Sequence, residues 1–292
     1  MTGAYFEVPA DWTTVERKRF GPFVTSETFR RPDGSLFRWT SRAHRKRGRG
    51  PQGGSLLWAP RSLAWWIAIL FMLGSACFAI GPLPFYLEAT GSTGDAITYF
   101  VGSIFFTTAA LCQLIETGVA PRSLTRHQAH RARRLLAIEV RRIDWWACSV
   151  QFVGTLFFNV TTFVSIHPPA GLAPGKNAIW TPDWRGSLCF MVASWLAYAE
   201  VGHGWVSWRP HSRGWRIAAL NMVGSIAFLV SAFGAYVLPT TGAPASLFWA
   251  NAGTFVGALC FFAGAALLLP ERIHPDETDE PAPLPTGAPA TT

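Results

Sequence analysis

The sequence predicts an all-α integral membrane protein: six transmembrane helices as three repeated hairpins with pseudo-threefold symmetry, preceded by a small N-terminal region containing a β-hairpin. Three observations predict it. Half of the 292 residues are hydrophobic, and 22 Phe and 14 Trp make the chain strongly aromatic. Six apolar stretches, about 63–83, 96–115, 145–166, 186–203, 215–238 and 247–269, approach the roughly 20 residues at ~1.5 Å each that cross a bilayer core. Each stretch carries one copy of Gly-small-x-x-Phe. None alternates polar and apolar residues as a barrel strand does.

The six copies are Gly74-Ser75…Phe78, Gly102-Ser103…Phe106, Gly154-Thr155…Phe158, Gly186-Ser187…Phe190, Gly224-Ser225…Phe228 and Gly257-Ala258…Phe261. Trp65, Trp145 and Trp215 each stand nine positions before the Gly of an odd stretch. Glu116, Glu200 and Glu271 each stand fourteen positions after the Gly of an even one. Phased repetition of this kind points to internal duplication. It divides the chain into membrane hairpins over 61–117, 144–201 and 214–271. A basic N-terminal region (1–60), a basic connector (118–143), a short loop (202–213) and a tail (272–292) flank them.

In chain order, Ser26–Thr40 reads as two strands around Pro32-Asp33-Gly34, whose Pro and Gly dihedrals favour a turn. A lone hairpin is marginal in water, so it should lean on the bundle or the membrane. Arg42–Ser55 is rich in Arg, Lys and Gly and is expected to be a flexible basic linker. The first apolar stretch follows this long basic segment, which is the wrong layout for a cleavable leader, so it should act as an anchor. Leu124–Ile143 places Leu136, Val140 and Ile143 on one helical face and should be helical. The fourth stretch is the shortest and carries Ser194 and Tyr198. After Ile273 the chain is Pro-rich and acidic, a composition that favours disorder.

Lys and Arg set the orientation. Residues 1–64, 117–144, 201–216 and the tail carry 23 of them, and the alternating loops carry only Lys176 and Arg185. This bias predicts both termini in the cytoplasm of a cell (plasma) membrane. The net charge of +8 is then a topology signal and an attraction to anionic lipid; nucleic acid is not an expected partner. Tyr86, Trp180, Trp184 and Tyr236 should form the outer aromatic belt. Arg outnumbers Lys by 22 to 3, in keeping with a GC-rich bacterial genome.

Small residues let helices approach closely in lipid, so the repeated Gly and Ser read as helix-packing residues, with the Phe one turn on filling space beside a neighbour. Phased Trp65, Trp145, Trp215, Glu116, Glu200 and Glu271 are expected at the cytoplasmic interface. There the glutamates reach headgroups and water, accept indole hydrogen bonds in a clamp, or ring a vestibule that attracts cations. Gln113, Gln151, Asn159, Thr161, Thr162, Asn221 and Asn251 lie within spans and need partners. No full charge is expected mid-span. Cys77, Cys112, Cys148, Cys189 and Cys260 lie within spans and lack C-x-x-C spacing, so they read as buried small residues. The seven His are scattered, with no metal-binding spacing. There is no Walker loop, nucleophile elbow or dinucleotide fingerprint. No catalytic, cofactor-binding or metal-binding residue is expected, and an enzyme is not.

On its Gly-Ser-x-x-Phe signatures the chain resembles the YrhK-like family of small bacterial membrane domains, a two-helix hairpin. The resemblance covers 62–117, 144–201 and 214–271 and implies three tandem units. Thr155 and Ala258 depart at the Ser position, and Arg216 replaces the second Trp of the first two units, Trp66 and Trp146. The family implies no biochemical activity. Three functions remain. A structural or accessory protein with an unidentified protein partner predicts a filled axis. A small-solute or ion transporter or channel predicts a continuous polar cavity touching Asn159, Asn221 or Asn251. A lipid-responsive element would read anionic headgroups through Arg131, Arg133 and Arg134.

Overall fold

The computed structural model describes residues 8–46, 55–119, 138–168 and 172–273, with backbone alone for 119 and 172–177. The expectations for Arg131, Arg133, Arg134 and Leu136 and for the tail after Ile273 lie outside the described residues.

Three antiparallel strands come first: β1 (Thr13–Phe20), β2 (Phe23–Arg30) and β3 (Leu36–Thr40). The β2–β3 hairpin has the expected turn. Arg31 N–H donates to the Ser35 carbonyl at 2.9 Å, and the Asp33 carboxylate accepts from Ser35 N–H at 2.9 Å and from its hydroxyl at 2.6 Å. Gly34 takes φ 81°, which a side chain would resist. The strand before it, β1, was not expected. It has few apolar residues and is mostly exposed, so it lacks the alternation that marks a half-buried strand. Val24, Phe29, Phe37 and Trp39 form the core of the sheet, with Trp12 against it.

Among the described residues seven helices follow: α1 (Ser41–Lys46), α2 (Leu63–Ile80), α3 (Pro84–Val119), α4 (Ile143–Ile166), α5 (Leu172–Gly202), α6 (Arg213–Gly234) and α7 (Leu247–Ile273). Helix α1 corrects the flexible linker expected over Arg42–Ser55, at least for its first part. Thr40 Oγ1 accepts from Ala43 N–H at 3.2 Å and caps it. Two expected outer loops are also shorter than predicted. Helix α3 begins at Pro84, bends at Gly91 (φ 70°, ψ 171°) and runs on. Helix α5 begins at Leu172, well before the expected 186. Proline is tolerated in the first turn of α3, and Pro182 sits within α5. At its far end, α5 stops at Gly202, and His203 takes the left-handed φ of 56° common after a helix C-terminus. Among the described residues, five helices are long and apolar enough to cross a membrane: α2, α3, α4, α6 and α7. Asp183 and Arg185 make α5 more polar.

Each long helix packs on the next, and α7 packs back on α2, closing a ring. Its outer surface is apolar: Leu73, Val101, Leu156, Leu188, Ile226 and Leu259 are all exposed. An exposed apolar circumference is what lipid, rather than water, accommodates. The sheet sits over one end. Phe20 packs edge-on against Trp195 (5.4 Å) and Trp205 (5.0 Å), and with Ile143 and Ala199 it joins the sheet to α4 and α5.

Candidate functional site

Three layers follow one another along the ring axis: an acidic cluster under the sheet, a phenylalanine layer, and a cavity at the opposite end.

The middle layer is built from the six repeated glycines and phenylalanines. In each of the pairs α2/α3, α4/α5 and α6/α7, a glycine lies against the facing helix's glycine, its phenylalanine, or both. A Cβ at Gly74 would lie 3.0 Å from the Gly102 carbonyl oxygen and 3.0 Å from Phe106; one at Gly186 would lie 3.1 Å from the Gly154 carbonyl oxygen; one at Gly257 would lie 2.5 Å from Phe228. At Gly102 and Gly154 the nearest atoms are the Cβ of Cys77 (2.7 Å) and of Cys189 (2.9 Å). Gly224 meets Phe261 at 3.0 Å. The rings released by this approach point inward. Phe78, Phe106, Phe158, Phe190, Phe228 and Phe261 are all buried and pack on one another, with Phe78–Phe106 at 5.4 Å, Phe158–Phe190 at 5.2 Å and Phe228–Phe261 at 5.3 Å. Phe78–Phe158, Phe106–Phe190 and Phe190–Phe261 contacts link the pairs. The axis is filled at this level.

Two of the small residues beside the glycines, Ser103 and Ser225, bind one pair to the next. Ser103 and Thr162 hydroxyls lie 3.0 Å apart between α3 and α4. The Ser225 hydroxyl meets Ser194 at 2.8 Å and the Phe190 carbonyl at 3.1 Å between α6 and α5. Thr155 donates to the Phe152 carbonyl of its own helix, and Ala258 is fully buried. Ser75 is buried, and its hydroxyl has no partner among the described residues. Asn159 accepts from Thr107 at 3.1 Å, so that intramembrane amide is bonded within the bundle.

The end under the sheet carries the phased residues. Glu116, Glu200 and Glu271 sit in the last turns of α3, α5 and α7, all nearly fully buried, so they do not reach headgroups or water. Asp144, in the first turn of α4, is buried with them and was not singled out in the sequence. Helix α1 answers this acidity. Arg42 Nε and Nη2 donate to the two oxygens of Glu271 at 3.1 Å each, and Lys46 pairs with the same carboxylate. Arg45 lies 3.6 Å from Glu116, 3.7 Å from Asp144 and 3.8 Å from Glu200. Burial works against the Arg45 charge, yet Glu200 above all, with Asp144 and Glu116, raises its pKa above the ordinary guanidinium value. Arg42 is likewise raised, burial opposing its charge and Glu271 restoring it. Arg142 pairs with Asp144 at 2.5 Å and donates to the Thr117 carbonyl at 2.8 Å, holding the start of α4 against the end of α3. Arg42, Arg45 and Lys46 stand at i, i+3 and i+4, a spacing in the sequence that signalled one cationic helical face.

The tryptophans correct the expected clamp. Trp65 Nε1 donates to the Leu57 carbonyl and Trp215 Nε1 to the Ser207 carbonyl, each at 2.9 Å, rather than to glutamates. Both rings are buried and Trp145 is half-buried; the outward rings at this end are Trp58, Trp66, Trp146, Trp205 and Trp208. A second indole pattern was overlooked: Trp58 packs on Trp65 at 5.5 Å and Trp208 on Trp215 at 5.1 Å. The shared Trp-x-Pro-x-Ser-x-x-Trp of 58–65 and 208–215 was the available signal.

At the opposite end a cavity of about 310 Å³ opens above Phe78, Phe158 and Phe228. Asn251 and Asp183 line it, together with hydroxyls from α4, α6 and α7. Asp183 lies three residues before Gly186 on α5, where a loop was predicted. Around this end Trp180 and Trp184 stack at 6.1 Å and pack on Tyr236 and Phe233. The described residues hold no group of three or more His, Cys, Asp or Glu placed to bind a metal ion. All five cysteines are free.

No family model, curated protein or solved structure matches the chain.

Proposed function

We propose that this is a structural or accessory protein of the cell membrane, in which three YrhK-like hairpins related by a pseudo-threefold axis form six spans and present the sheet at the cytoplasmic face. The observation that carries the reading is the layer of six phenylalanines across the axis. A ring whose centre is occupied by interlocked aromatic side chains offers no water-filled path. The acidic cluster supports the same reading, because its charge is satisfied by α1 of the same chain rather than offered to a passing solute. Cytoplasmic termini follow from the basic loops, and exposed Trp58, Trp66 and Trp208 suit a headgroup belt with anionic lipids beside it. A protein partner at the sheet completes the proposal.

A second reading, a small-solute transporter, draws on the cavity at the other end. Reconstitution in liposomes separates the two. The first reading expects ion and small-cation flux at the protein-free background, and flux that saturates with solute would replace it with the second. For orientation, a cysteine introduced at Thr241 should react in intact cells with a membrane-impermeant maleimide, and one at Arg209 should not. The reverse pattern would invert the topology.

A further inference from the structure

We infer that the cavity remote from the sheet is a binding site for a small organic ammonium ion. Its wall holds one carboxylate, Asp183, and among the described residues it has no hydrogen-bond or ion partner and no cationic side chain lines the space. A carboxylate at this depth is costly unless a positive charge or several donors meet it. Three of the hydroxyls around it direct their protons elsewhere. Thr161 donates to the Ile179 carbonyl at 3.1 Å, Ser165 to the Thr161 carbonyl at 2.8 Å and Ser231 to the Ala250 carbonyl at 2.7 Å. These three keep lone pairs free to accept from a ligand. A carboxylate without a partner beside such acceptors favours a ligand that is cationic and donates hydrogen bonds.

The size and the remaining walls select an organic cation over a metal ion. At about 310 Å³ the cavity falls in the range of small-molecule sites. A single carboxylate is too few for a divalent cation, which gathers several oxygen ligands at short range. Phe78, Tyr99, Phe158, Trp180 and Phe228 are among the residues that line the space, and aromatic rings attract alkylammonium groups. Asn251 contributes an amide that would orient a hydroxyl or a second polar group on the ligand. The site stands whether the bundle is a scaffold or a transporter, since it needs only the cavity.

The test is calorimetric titration of the full chain in dodecyl maltoside with choline and with ethanolamine. The neutral isostere 3,3-dimethylbutan-1-ol and sodium chloride at matched ionic strength serve as controls. At least one ammonium should bind saturably, the isostere should bind roughly tenfold or more weakly, and Asp183→Asn should weaken the ammonium about as much. Equal binding of the isostere, equal binding of sodium, no saturable binding of either amine, or an unchanged affinity in Asp183→Asn would each overturn the assignment. Should Asp183→Asn fail to fold, Thr254→Val removes one acceptor and should lower affinity severalfold; no change there would count the same way. Native mass spectrometry with phosphatidylethanolamine against free ethanolamine then tells a lipid headgroup from a free amine as the source. Binding of either supports the site, and retention of neither overturns it.

Discussion

The two ends of the bundle handle buried carboxylates in opposite ways. Beneath the sheet, Glu116, Asp144, Glu200 and Glu271 face Arg42, Arg45 and Lys46 of α1, with Arg142 on Asp144. At the other end Asp183 faces a cavity on whose walls no cation stands among the described residues. Charge inside an apolar bundle is tolerated only with compensation, and the chain supplies that compensation itself at one end alone. The phenylalanine layer keeps the two ends apart, so each is a separate electrostatic problem.

The comparison breaks most sharply at Arg45. This side chain is buried and serves three carboxylates at once. Removing one member of a buried charge group leaves the others uncompensated, at a cost of ~3–5 kcal/mol. Arg45→Ala should therefore lower the stability of the detergent-solubilised protein by about that amount in chemical unfolding. Adding Glu200→Gln should restore part of it, since one unmatched charge is gone. A neutral outcome for Arg45→Ala would mean that water, not α1, screens the cluster.

The separating layer is the next point to attack. A side chain at Gly257 would begin 2.5 Å from the Phe228 ring and 3.0 Å from the Gly224 carbonyl oxygen. Gly257→Leu should cost about 1–3 kcal/mol by overpacking, seen as a lower unfolding midpoint. Val230→Leu, on the exposed outer face, is the control and should leave the midpoint unchanged. If both variants behaved alike, the close approach at the glycines would not hold the layer.

A smaller and pH-dependent effect sharpens the picture of the sheet-side end. His203 follows α5, and burial first, then Arg209, Arg38 and Lys18, pushes its pKa down to about 3. Its unfolded value lies near 6.5, so between those limits the unfolded chain binds the proton and the folded chain does not. Stability is whole above the unfolded value and falls as pH drops through it toward 3. The loss should be on the order of 1–2 kcal/mol by pH 5, and His203→Gln should flatten the curve. An identical slope in that variant would place the acid sensitivity elsewhere.

Much of the middle layer was legible because it depends on spacing alone. Gly74 and Phe78, or Gly257 and Phe261, share one helical face by arithmetic, and small residues in apolar helices imply close approach whichever helix lies opposite. The same periodicity placed the phased Trp and Glu near helix ends. What those residues touch was not legible. Trp65 was matched with glutamate, but the nearer acceptor is the Leu57 carbonyl, set by a turn whose Trp58-x-Pro60-x-Ser62 pattern went unread. Asp183 was assigned to a loop because Pro182, Asp183 and Arg185 make that stretch polar. Composition cannot tell a polar loop from a polar helix held by its neighbours. The strand β1 escaped for a similar reason: its side chains are mostly exposed, and it is pairing with β2 that makes it a strand.

By itself the sequence determined which stretches form apolar helices, which residues repeat, and that small residues and phenylalanines fall on common faces, because these follow from local periodicity. Only the tertiary structure decided that α1 folds back onto the acidic cluster and that Asp183 lines a cavity. Partnering of charges across long sequence separation, such as Arg42 with Glu271, depends on how the ring closes, and closure is a property of all six helices together.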